Sequence, residues 1–213
     1  MVQGSLLGMA EPDVDGSFTG LTRRQLDTRS WLDVVPDWMR GDQVVFDLLE
    51  TQLHWRQRTV TMYERRLPEP RLTSWWVPRD GPEPLPVLAE ARRLLAARYG
   101  ADFDSIGCNL YRHGADSVAW HGDRHRHTVA NPVVAIVSVG AARPFRLRPR
   151  GGGPSQLFAL GNGDLFVMGG ACQHDWEHTV PKVRVAAPRI SITFRHGARR
   201  SRRGSSDHLP PSR

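Results

Sequence analysis

After Ser105 the chain breaks into short apolar or alternating runs about ten residues apart, separated by Gly-rich or polar turns. Runs of this kind at 106–112, 132–139, 144–148, 156–160, 164–168, 178–180 and 188–195 predict strands. Many short strands with glycine punctuation suggest two packed antiparallel sheets, a β-sandwich or jelly roll. The period before Ser105 is different. Val44, Val45, Leu48, Leu49 and Leu53 recur at helical spacing over 41–53, with Asp42 as the expected N-cap. A second helix is predicted over 85–99, with Leu85, Leu88, Leu94 and Leu95 as its apolar stripe and Gly100 as its stop. Between them, 59–77 alternates like strand, is broken by Pro68 and Pro70, and ends in Trp75 and Trp76. Four prolines between 78 and 86 then stiffen the connection. The expected fold class is mainly β with an α/β N-terminal part.

A chain of 213 residues can bury a sizeable core. No apolar run approaches the roughly 18 residues that a membrane-spanning helix requires, and no signal-peptide pattern opens the chain. A cytoplasmic monomer is the expectation. Cys108 and Cys172 are too few for a disulfide framework or a structural zinc site. The net charge of +7 is uneven: residues 1–105 hold 13 Arg against 16 acidic residues, 106–196 hold 11 basic against 5, and 197–213 hold 5 against 1. Clustered cations raise the local concentration of phosphate-bearing ligands, so a polyanionic partner fits the second half. Arginine-rich composition alone would give the same total.

The chemistry concentrates in three pieces: NLYRHGADSVAWHGD from Asn109 to Asp123, QHDWEHTVP around His178, and RISITFR from Arg189 to Arg195. Side chains alternate between the faces of a strand. Ile190, Ile192 and Phe194 therefore share one face of the last strand, and Arg189, Ser191, Thr193 and Arg195 the other. The two arginines lie roughly 20 Å apart along the backbone, but their side chains can lean around a small diacid. A guanidinium pairs bidentately with carboxylate. Asn109 and Tyr111 share a face by the same parity, as do His121 and Asp123. Adding His178 from another strand gives the two-histidine, one-carboxylate set that suits non-haem Fe(II) and leaves positions open. His125, His127 and His174 compete as ligands. His174 stands four before His178, helical spacing for a zinc site, although Pro181 argues against a helix there.

The ordered residues Asn109, Tyr111, Gly114, Asp116, His121 and Asp123, followed by SVGAARPFRLR, GDLFVMGGACQHDWEHTVP and RISITFR, resemble the AlkB-type Fe(II)/2-oxoglutarate-dependent dioxygenases, which demethylate alkylated nucleic acids. The resemblance covers about residues 105–196 closely and extends weakly through PRLTSWW. It implies a double-stranded β-helix, with N-terminal helices and a nucleotide-recognition lid. In that fold His121, Asp123 and His178 would bind iron, while Asn109, Tyr111, Arg189, Ser191 and Arg195 would hold 2-oxoglutarate. It also implies O2 as oxidant, succinate and carbon dioxide as products, and hydroxylation of an N-linked methyl group that leaves as formaldehyde. The implied role is repair of alkylation damage, with DNA expected ahead of RNA. Trp75, Trp76 and His125 are the candidate substrate contacts, the tryptophans as stacking surface for an extruded base. Two positions depart from the pattern: His125 stands where repair members carry Asp or Glu, and Ser191 where many carry Asn.

The resulting division is a mobile leader over 1–20, an α/β extension and lid over 21–105, the β-helix core over 106–196 and a basic disordered tail over 197–213. Rival readings are the same chemistry on a protein or small molecule, a nucleic-acid-binding module with a non-catalytic metal site, and a zinc-dependent hydrolase. The last leaves Arg189 and Arg195 without a task.

Overall fold

The computed structural model describes residues 11–62, 65–122 and 129–197. In chain order the elements begin with β1 (Asp13–Val14), β2 (Thr22–Gln25), β3 (Ser30–Val35), β4 (Met39–Arg40) and helix α1 (Asp42–Gln52). Next come β5 (Thr59–Met62), β6 (Arg65–Pro68), β7 (Leu72–Trp76) and α2 (Pro86–Tyr99). The second half holds β8 (Ser105–Tyr111), β9 (Val118–His121), β10 (Val134–Gly140), β11 (Arg143–Pro149), β12 (Gln156–Leu160) and β13 (Asp164–Gly170). The single-turn α3 (Cys172–Asp175), β14 (Trp176–Val180) and β15 (Arg189–Arg195) complete it.

Two antiparallel sheets form the body, as the strand spacing and glycine turns predict. The larger has strand order β2-β3-β13-β10-β15-β8-β7 and the smaller β12-β11-β14-β9. Together they make the jelly roll. Alternation along each central strand sorts side chains into two apolar layers. Ala135, Val137, Val139, Ile190, Ile192, Phe194, Leu165 and Val167 pack away from the smaller sheet, against Val45, Phe46 and Leu49 of α1 and Leu88, Ala91 and Leu95 of α2. Val134, Ile136, Phe166 and Met168 face the other way and join Phe145 and Leu147 between the sheets. A strand buried on both faces reads as a continuous apolar run, which is why VVAIVSVG looks unbroken.

Both predicted helices form, with different caps. Gly41, at φ 66°, caps α1 in the left-handed conformation; Asp42 lies in the first turn and accepts a bond from the Gly140 amide at 3.3 Å. Pro86 starts α2 and Gly100, at φ 62°, ends it. The expected mobile leader has to be corrected for residues 11–20. Val14 and Phe18 are buried in the helix-side core, Phe18 lies 5.6 Å from Trp38, and the Trp38 indole donates to the Asp15 carbonyl at 2.8 Å. Two isolated apolar residues carry no period, so neither strand nor helix is signalled there. Residues before 105 also belong to the main sheet: β3 pairs with β13 and β7 with β8. The expected tail falls, from residue 198, outside the described residues. Among the described residues no helix is long and apolar enough to cross a membrane.

Candidate active site

A cavity of ≈ 950 Å³ opens between the sheets. Its floor is set by strand register. Asn109 of β8 lies opposite Thr73 of β7 on one side and Ser191 of β15 on the other, and Ser191 in turn opposes Ser138 of β10. The next row one way along the strands is Trp75, Gly107 and Thr193; Tyr111 pairs with Arg189 in the row on the other side. Residues two apart along each strand thus stack into one polar face. The expected facing of Asn109 with Tyr111, and of Arg189 with Ser191, Thr193 and Arg195, is present: all six line the cavity.

The smaller sheet supplies the roof. His178 of β14 is directly opposite His121 of β9 in the antiparallel register, which brings the imidazole centroids to 4.3 Å. Phe145 stacks on His178 at 5.2 Å and fixes its plane. His121 Nδ1 lies 2.8 Å from the Ala119 carbonyl. That contact assigns the proton to Nδ1 and leaves Nε2 with a lone pair for a metal. Asp123 and His125, the other sequence candidates here, lie outside the described residues, as does His127. Among the described residues no third His, Cys, Asp or Glu joins the pair. The helical His174–His178 spacing considered for zinc does not form, because His174 sits in the single turn α3 while His178 is on the following strand. His174 instead contacts the Ala130 carbonyl at 3.2 Å.

Arg189 is the most unusual polar group in the cavity. It is 1% exposed, Nη2 donates to Ser138 Oγ at 2.5 Å, and among the described residues Nε and Nη1 have no hydrogen-bond partner. Burial pulls its pKa down to about 10. A donor-only fork with two unmatched N–H groups is suited to a carboxylate. Tyr111 packs beside it, with the Arg189 and Arg143 guanidinium carbons 5.6 and 5.7 Å from its ring centroid. Burial pushes the Tyr111 phenol up, against the pull of Arg189, Arg71, Arg143 and Arg195. Two imidazoles, a phenol and an unmatched buried guanidinium around one cavity form a donor set that fits iron together with a dicarboxylate.

The loop between β8 and β9 is held firmly. Arg143 Nη1 donates to the His113 carbonyl at 3.1 Å, and Nη2 to the carbonyls of Asp116 at 2.9 Å and Pro181 at 3.1 Å. One side chain therefore joins the approach to His121 with the exit from His178. Gly114 is required at its position, since a Cβ there would lie 2.3 Å from the Val183 carbonyl oxygen.

The sequence profile described as "2OG-Fe(II) oxygenase superfamily" matches residues 39–195. The chain belongs to this superfamily. Within the oxygenases it is of the AlkB type. It is 34% identical over 171 residues to "Alpha-ketoglutarate-dependent dioxygenase alkB homolog 3" of Bos taurus, covering 71% of this chain and 60% of that protein. It is 30% identical over 193 residues to "DNA oxidative demethylase ALKBH2" of Arabidopsis thaliana, covering 70% and 60%. The match thus spans about 60% of the length of these curated relatives. Among solved structures, "The structure of OsALKBH1" superposes with TM-score 0.57 at 13% identity, covering 83% of this chain and 100% of that one. At that identity the likeness bears on the fold alone.

The oxygenase fold separates the two tryptophans that the sequence left together. Trp75 is 54% exposed, lines the cavity and lies under the Arg195 guanidinium at 5.5 Å. Its ring takes the space a side chain at 107 would fill, with a Cβ on Gly107 coming within 2.6 Å of it. Trp76 is 8% exposed, packs in the helix-side core and donates to the Pro82 carbonyl at 2.9 Å. Arg71, Thr73, Ser138 and Phe145 were not anticipated. Arg71, Thr73 and Trp75 share strand parity in RLTSWW, and Ser138 interrupts an apolar run, so both signals were present in the sequence.

Proposed function

We propose that the protein is an Fe(II)/2-oxoglutarate-dependent dioxygenase that removes N-linked methyl groups from nucleic-acid bases, DNA ahead of RNA, in repair of alkylation damage. The observation that carries this reading is the unmatched Arg189 guanidinium at one end of a cavity whose roof bears the His121 and His178 imidazoles. His121 and His178, with Asp123, would hold the iron. Arg189 would pair with the remote carboxylate of 2-oxoglutarate, with Tyr111 and Ser191 beside it, and Asn109 and Arg195 would steady the other end. When bound, the metal supplies the oxidative chemistry that couples co-substrate decarboxylation to hydroxylation of a methyl group, which leaves as formaldehyde. The chain's own task is to orient the two organic molecules and keep water from the cavity.

The nucleic-acid part of the reading draws on the relative named as a DNA oxidative demethylase and on the cationic mouth, where Arg56, Arg58 and Arg71 line the cavity with Trp75. The lid is taken to be the segment around β5–β7. Stacking of a base on an aromatic ring is worth about 1–3 kcal/mol. Trp75→Ala is therefore expected to weaken single-stranded DNA binding about ten- to a hundredfold while leaving the melting temperature unchanged. Trp76→Ala should instead lower stability by about 3–5 kcal/mol, because it empties a buried aromatic site. Fluorescence anisotropy and urea unfolding separate the two.

Anaerobic addition of 2-oxoglutarate to the Fe(II)-loaded protein should produce a metal-to-ligand charge-transfer band. Its absence would end the oxygenase reading. Formaldehyde release from N-methylated single-stranded DNA, lost in Asp123→Ala, tests the substrate. A second reading keeps the chemistry and changes the target to a protein side chain or small molecule; His125, where repair members carry a carboxylate, favours it. A band without formaldehyde from methylated DNA or RNA would decide for that reading. The expected form is a cytoplasmic monomer, which sedimentation of the purified protein checks as to oligomeric state.

A further inference from the structure

Three polar strands make the cavity floor, and the edge one, β7, brings a side chain whose work lies inside the sheet. Arg71 precedes β7 and shares parity with Thr73 and Trp75. Its Nε donates to Asn109 Oδ1 at 3.2 Å, its Nη1 reaches the Ser117 carbonyl at 3.5 Å, and its Nη2 pairs with Glu69 Oε2 at 3.3 Å. The three partners belong to different pieces of the site: Glu69 to the turn between β6 and β7, Asn109 to β8, and Ser117 to the entry into β9, which carries His121. Backbone bonds run along the same line, from the Ser117 amide to the Pro70 carbonyl at 2.7 Å and from the Arg71 amide to the Glu69 carbonyl at 2.8 Å.

Arginine donates and cannot accept. The atom of the Asn109 amide that faces Arg71 must therefore be the oxygen. The NH2 group is then turned away from Arg71, toward the cavity that Asn109 lines. Without Arg71 the amide can rotate and present its oxygen to the cavity instead. Against a carboxylate that change replaces a donor with a repelling acceptor.

We propose that Arg71 is a positioning residue that holds the Asn109 amide with its NH2 toward the co-substrate, and so ties the β6–β7 turn to the seat of 2-oxoglutarate. The inference rests on the oxygenase reading above. Its test is a double-mutant cycle read by the charge-transfer band in anaerobic titrations of the Fe(II)-loaded full chain with 2-oxoglutarate. Arg71→Met keeps the length of the side chain and removes every donor; affinity for 2-oxoglutarate is expected to fall about tenfold, the effect of one hydrogen bond to a charged group. Asn109→Ala should weaken binding by a similar factor. Because the two act as one unit, Arg71→Met placed on Asn109→Ala should add nothing further. Arg71→Lys, which keeps a donor, should restore part of the affinity.

Multiplying effects in the double variant would overturn the proposal, since they would mean that Arg71 acts elsewhere. So would unchanged affinity in Arg71→Met. If Arg71→Met does not fold, the same comparison is made with Arg71→Lys alone and on Asn109→Ala: a loss of affinity present in the first and absent in the second supports the proposal, and equal losses overturn it. Absence of the band in the unaltered protein would instead defeat the oxygenase reading itself, an outcome distinct from a normal band with an Arg71-independent affinity.

Discussion

Arg189→Met is expected to weaken 2-oxoglutarate binding about a hundred- to a thousandfold and, at the same time, to make the ligand-free protein more stable. The two effects have one origin. Among the described residues Arg189 is a buried cation whose Nη2 donates to Ser138 Oγ and whose Nε and Nη1 have no partner. Burial lowers its pKa to about 10, so charging it in the folded state costs free energy that the unfolded chain does not bear. For a base with a depressed pKa this cost is present at all pH values below about 10 and diminishes as pH rises through the folded value. A carboxylate arriving at the fork removes the deficit and forms charge-assisted bonds, each stronger than a neutral one. Methionine fills a similar volume without a charge, and replacing buried ionic groups by apolar ones commonly gains about 1–4 kcal/mol. Urea unfolding without ligand should therefore show a higher midpoint for the variant, and excess 2-oxoglutarate with Fe(II) should stabilise only the unaltered protein. A lower midpoint in the ligand-free variant would mean that Arg189 is held by the fold and not kept for a ligand.

Arg143→Met should have the opposite sign. Arg143 is buried to the same degree, 1% exposed, and burial again lowers its pKa. Its guanidinium, however, satisfies the carbonyls of His113, Asp116 and Pro181. Removing it takes the donor from three acceptors at once, one buried and two partly buried, for an expected loss of about 3–5 kcal/mol at an unchanged denaturant slope. Iron affinity should fall as well, because the clamp joins the segments that lead into His121 and out of His178. Arg143→Lys can replace at most part of the fork and should recover only a minor share. The two substitutions remove the same kind of side chain, one from each sheet, and the difference lies in what accepts their hydrogen bonds.

Much of the site was legible because strand parity is a strong rule. In RISITFR it separated Ile190, Ile192 and Phe194 from Arg189, Ser191, Thr193 and Arg195, and the same faces appear in the structure. Pairing between distant strands was not legible from spacing. VAWH is four residues long and becomes a strand only by lying against β14, so the direct opposition of His121 and His178 needed the fold. Strand β3 was hidden by Asp33, a charge in an otherwise apolar run; Arg23 pairs with it at 2.7 Å and the Tyr99 hydroxyl donates to it at 3.0 Å. Single apolar anchors such as Phe18 have no period to detect. Trp75 and Trp76 are chemically identical neighbours, and only alternation on an edge strand sends one to the cavity and the other to the core.

The two-layered burial of the main sheet has a consequence for how such a protein can change over generations. Positions that face the cavity alternate with positions that touch the helices, so each strand carries two nearly independent messages. A substitution on the cavity side leaves the helix-side packing of Ile190, Ile192 and Phe194 untouched. Ser191, which lines the cavity, occupies such a position. The sheet can therefore serve as a fixed loom on which the pattern of the cavity floor is rewoven, one alternate residue at a time, with selection on chemistry largely uncoupled from selection on folding.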